Sequence, residues 1–190
     1  MNTNKLSLKL YAEPSTLPPS HDFLRVWHDW IKRGALAELL VDVVDYGHVH
    51  EGPHILLVGH ESDYALHFSE GRPGLYYQRK RAPETDEASA LADSLTRLYR
   101  TASQLEVDLP GLRFLSGEVL VSFLDRLNHP NDEAGFDAAA PLVREAAKRI
   151  YGAEFTVKRN VGDPREALSI RMTAPGAPTS SEIFARLTAS

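Results

Sequence analysis

The chain has 190 residues, 43% of them hydrophobic and 25% charged, a balance that suits one globular core burying roughly 70% of the unfolded surface. A net charge of -5 and a pI near 5.9 argue against a nucleic-acid partner, because phosphate contacts need a basic face, and the one dense basic run, Arg79-Lys80-Arg81, reads as a solvated strand end. The absence of cysteine excludes disulfides, thiolate metal sites and cysteine nucleophiles together.

Residues 5–11 alternate polar and apolar, the period of a strand with one buried face. The leucines at 6, 8 and 10 are spaced rather than continuous, and no stretch approaches 18 apolar residues, so a cytoplasmic location and no membrane partner are expected. After the prolines at 14, 18 and 19, Ser20 is placed to cap a helix in which Phe23, Val26, Trp27, Trp30 and Ile31 recur at helical spacing, with Gly34 just past its end. The valine-rich run to Val44 predicts a strand over 39–47, followed by strands at 54–60, 63–69 and 74–80 across turns rich in glycine and proline.

Pro83, Glu84 and Thr85 open the clearest helix, 86–105, whose apolar stripe includes Leu91, Leu95, Leu98 and Ala102. A hairpin across Ser116-Gly117 is expected next, joining 112–115 to 118–124. The third helix ends at Tyr151-Gly152 and is expected to begin near Asp137, since Pro141 is best tolerated in a first turn. Strands at 154–158 and 167–172 complete the list. These elements predict an α+β fold, a mostly antiparallel β-sheet with two or three helices packed on one face. Residues 1–173 read as a single domain, and 174–190 as a linker with a short C-terminal helical tail.

Five of the eight histidines fall between 48 and 67, and imidazole is both the side chain that titrates near neutrality and the commonest neutral metal ligand. If the strands 39–48 and 54–60 pair so that 48 faces 54, Asp42 lies across from His60 and would orient that ring. The site so predicted spans 42–64, with His60 as base, Glu61 and Asp63 as catalytic carboxylates, and Asp42, Tyr46 and Tyr64 as ligand-binding groups. His48-Val-His50 with His54 is a candidate set for a divalent metal such as zinc, although the spacing departs from the His-x-His patterns of cupins and of metallo-β-lactamase-like hydrolases. Gly47, Gly52 and Gly59 either admit a ligand close to the backbone or serve turns and a bulge. Two functions follow: a small-ligand-binding protein or enzyme acting through this segment, or a non-catalytic adaptor or assembly subunit, as a homo-oligomer or with a protein partner.

Overall fold

The computed structural model describes residues 5–49, 53–68, 71–80, 85–152, 154–163 and 165–189. Among these lie eight strands and four helices in the order β1 (Leu6–Ala12), α1 (Ser20–Arg33), β2 (Leu40–Asp45), β3 (Pro53–Gly59), β4 (Ser62–His67), β5 (Gly74–Arg79), α2 (Glu87–Asp108), β6 (Phe114–Phe123), α3 (Glu133–Tyr151), β7 (Thr156–Arg159), β8 (Leu168–Thr173) and α4 (Ser180–Thr188), with one 3-10 turn at Pro14–Thr16. The fold is α+β. All the strands join one antiparallel sheet, ordered β2-β3-β4-β5-β1-β6-β8-β7.

Strand alternation sorts the residues onto two faces. Leu6, Leu8 and Leu10 of β1, Leu75 and Tyr77 of β5, and Val119 and Val121 of β6 point into one core with the helices, which bring Trp27, Trp30, Leu95, Leu98, Val143, Ile150 and Ile183 to it. Four helices, rather than the two or three expected, therefore contribute to this core, α4 by packing on α2 and α3. The fourth is α4, whose Ile183 and Leu187 are buried and whose first turn is secured by a capping box between Thr179 and Glu182.

The central strand departs from the half-buried pattern its alternation suggests. Ser7, Lys9 and Tyr11, on the face without helices, are as buried as the leucines between them. The cover is side chains rather than a second layer: Arg72 lies over the Tyr11 ring, its guanidinium carbon 3.9 Å from the ring centroid, and the Lys9 ammonium donates to the Arg72 carbonyl oxygen at 2.7 Å.

Two other expectations are corrected. No hairpin forms at Ser116-Gly117; β6 runs through both residues, and the pairing shifts from Leu10↔Val119 to Ala12↔Phe114 as a wide irregularity. A Cβ on Gly117 would stand 2.3 Å from the Ala174 carbonyl oxygen, so glycine is required by the close passage of the chain after β8 rather than by a turn. The bulged Ser116 carbonyl is satisfied by the hydroxyls of Tyr99 and Tyr151, at 2.7 and 3.2 Å. The other correction is α3, which begins at Glu133 with Asp132 capping Gly135 N–H, so that Pro141 sits in its interior. Packing of Ala139, Ala140, Val143, Ala147 and Ile150 carries the helix past that missing donor.

Candidate functional site

The residues predicted to form one site are distributed by the same alternation. In β4, Ser62, Tyr64 and Leu66 face the helices, whereas Asp63, Ala65 and His67 face the other side. Asp63 stands opposite Gln78 and makes an ion pair with Lys80 at 2.8 Å, without hydrogen-bond geometry. Asp42 does not lie across from His60: the register pairs Asp42 with Val58, and a bulge between Leu40 and Asp42 leaves His60 beyond the strand, donating its N–H to the Leu39 carbonyl. The exposed Asp42 carboxylate instead accepts the N–H of Val43. His60 is exposed and its ring makes no hydrogen bond among the described residues.

Tyr46 lies beyond β2, donating its N–H to the His54 carbonyl, and the His54 ring packs edge-on against Phe68. His50 lies outside the described residues, as does the Glu51-Gly52 connection. The metal set is thus represented by the exposed His48 and the half-buried His54, and among the described residues no three histidines or carboxylates are grouped to hold an ion.

The structure does join Tyr64 and Glu61, through residues the histidine segment gave no reason to select. Glu38, on the approach to β2, has a side chain only 2% exposed. Its carboxylate accepts the backbone N–H groups of Glu61 and Ser62 at 2.8 and 2.9 Å and the Tyr64 hydroxyl at 2.7 Å. Arg97 of α2 completes the set at 3.3 Å and also binds Glu61 at 2.8 Å and Asp93 at 2.9 Å. Asp93 in turn accepts from Arg79 at 2.6 Å. A Cβ on Gly59 would stand 2.5 Å from Glu38 Oε2, so this glycine admits the protein's own carboxylate into the turn between β3 and β4.

Burial, reinforced by the charge and hydrogen bond of Glu38, pushes the Tyr64 hydroxyl far above the usual tyrosine range and keeps it a neutral donor. Burial opposes the charge on Arg97, but Asp93 and its other neighbours outweigh it and the net displacement is upward.

Beside this network a pocket of about 160 Å3 opens between the approach to β2, α2 and α4, with Leu36, Tyr64, Thr96, Arg97, Arg100 and Phe184 in its walls. A second pocket, about 200 Å3, lies on the sheet face without helices over Ser7, Lys9, Tyr76, Ser122 and Ser169. Two of its hydroxyls, Ser122 and Ser169, are bonded to each other at 2.7 Å. His67 lies on that face, tilted against Tyr76 with ring centroids 5.4 Å apart, and burial followed by the Lys9 charge lowers its pKa, keeping the ring neutral.

No protein-family model, curated protein or solved structure matches the chain. Glu38 did leave one trace in the sequence, as the single charge in the apolar run from Leu36 to Val41. Asp93 and Arg97, four apart beside the stripe of α2, are the matching helical signal.

Proposed function

We propose that this protein binds a small organic molecule in the pocket between the approach to β2, α2 and α4. The observation that carries the reading is the composition of that pocket: two arginines, Asp93 and a buried tyrosine line, with the apolar Leu36 and Phe184, one partly open space. Glu38 gives this wall rigidity, since one carboxylate ties the β3–β4 turn, Tyr64 and Arg97 together. Of the residues predicted from sequence, Tyr64 lines the pocket and Glu61 acts through Arg97; His60, Asp63, Asp42 and Tyr46 do not line it.

Recognition is favoured over proton transfer, because Asp93 and Glu61 are engaged by arginines and burial holds Tyr64 neutral. An assembly role draws support from Leu39 and Val41, which are 70% and 56% exposed at the edge strand β2. The bulge there, and the occupation of the Val43 N–H by Asp42, are the features by which edges avoid further pairing, so ligand binding is the stronger reading.

The test is a thermal-shift screen of small acids, alcohols and amines against the wild-type protein and Thr96→Phe, which fills the pocket from α2. Compounds that stabilise the wild type and not the variant support the reading. Compounds that raise both melting temperatures equally place binding elsewhere and overturn it.

A further inference from the structure

We infer that the ligand of this pocket is a short hydroxy-substituted carboxylate, its carboxylate held by Arg100 and its hydroxyl directed at Thr96 of α2. The inference rests on the reading that the pocket binds a small molecule, and it follows from which hydrogen-bonding groups there remain uncommitted.

Of the three carboxylates that Arg97 engages, Asp93 lines the pocket, and Glu38 and Glu61 are not among its lining residues. Arg100, one turn further along α2, makes no ion pair among the described residues. Its guanidinium has one hydrogen bond, a long one of 3.3 Å to the Ala35 carbonyl, and the group is half-buried at the pocket wall. A guanidinium carries five N–H donors in a planar fork that matches a carboxylate, so most of its donor capacity is open. A partly desolvated cation with few partners favours an anion over a neutral or cationic ligand.

The threonines supply the second half of the argument. Thr96 donates its hydroxyl hydrogen to the Ala92 carbonyl at 2.8 Å, Thr101 to the Arg97 carbonyl at 2.8 Å, and Thr188 to carbonyls of α4 at 3.1 Å. Thr101 is fully buried, and with its own hydrogen spent on the helix the accessible Thr96 oxygen offers a ligand lone pairs only. Lone pairs near a carboxylate-binding arginine call for a ligand that also carries a donor, which a hydroxyl provides. The volume, about 160 Å3, suits a ligand of a few carbon atoms. Phe184 and Leu36 take the apolar part.

Three probes with the same carbon count separate the components: 3-hydroxybutyrate, butyrate and 1,3-butanediol, each titrated into the full chain and followed by amide chemical shifts of Thr96, Arg97 and Arg100. The expected order is 3-hydroxybutyrate, then butyrate, with no saturable shift from the diol. Arg100→Gln is expected to weaken 3-hydroxybutyrate roughly tenfold or more, the size of a charge-assisted hydrogen bond. Thr96→Val is expected to remove the advantage of 3-hydroxybutyrate over butyrate and leave butyrate unchanged. Circular dichroism of both variants checks that they fold. If the diol binds as well as the acids and Arg100→Gln has no effect, the anionic class is wrong while the pocket stands. If butyrate equals 3-hydroxybutyrate in the wild type, the hydroxyl assignment fails. If no probe moves these amides, while screening hits are lost in Thr96→Phe, the hydroxy-acid inference falls alone; if those hits are absent too, both readings fall.

Discussion

Each face of the sheet carries a glutamate gripped by arginine, and the two pairs do different things. Glu38, on the helix face, is nearly out of solvent and takes two backbone N–H groups, a tyrosine hydroxyl and a guanidinium. Glu118, on the other face, has a side chain 21% exposed, and side chains bind it: Arg72 through two bonds at 2.7 and 2.8 Å and Arg171 at 2.6 Å. A carboxylate bound to backbone amides fixes the path of a turn. One bound to arginine side chains lays those arginines over the sheet, where both stand above the Tyr11 ring. Charge pairing is common to both, and burial decides which becomes part of the framework.

The strongest way to break this contrast is Glu38→Ala. It leaves the amides of Glu61 and Ser62 and the Tyr64 hydroxyl without their acceptor and removes one partner of a buried ion pair, so urea denaturation is expected to show a loss of about 3 to 5 kcal/mol. A loss below about 1 kcal/mol would mean that the carboxylate does not organise the turn. Next in size is Tyr64→Phe, which removes one hydrogen bond to a charged acceptor and is expected to cost about 1.5 to 3 kcal/mol in the same measurement.

Glu118→Ala is expected to cost less, about 1 kcal/mol, since Arg72 is 38% exposed and water replaces its lost partner. A cost matching that of Glu38→Ala would erase the contrast. The smallest effect is in the pH dependence. The hydrogen bond from Arg72, aided by Arg171 and opposed by partial burial, holds the Glu118 carboxyl below the usual glutamate range. A depressed folded-state pKa contributes stability that is complete above the unfolded value, about 4.3, and is lost as the pH falls through the folded value. Between pH 6 and pH 3 the wild type is therefore expected to lose a few tenths of a kcal/mol more than Glu118→Gln. Identical acid limbs would remove Glu118 from the account.

The fold class, the strands around residues 54–80 and the helix Glu87–Asp108 were legible because their information is local: a period of two or 3.6, with glycine and proline at the ends; Ser20, expected to cap α1, instead opens its first turn without a side-chain cap bond. Pro141 and Ser116-Gly117 misled for the converse reason. Each carries a local preference that packing overrode, through the buried face of α3 in one case and the close passage of Ala174 in the other. The candidate site was legible in part. Tyr64 and Glu61 come from the segment that the histidines marked, whereas Glu38, Asp93, Arg97 and Arg100 lie in two other parts of the chain.

By itself the sequence determined that this chain forms an antiparallel sheet covered by helices, since burying its apolar alternation and its helical stripes requires that layering. It also determined that Tyr64 and Asp63 point to opposite faces, because adjacent strand residues must. Tertiary structure alone decided the register, which moved Asp42 away from His60 by two positions, and the meeting of Glu38 with a turn more than twenty residues later. The physical reason is distance along the chain. A register and a long-range ion pair are chosen by the packing of whole faces against one another, and no single segment encodes that choice.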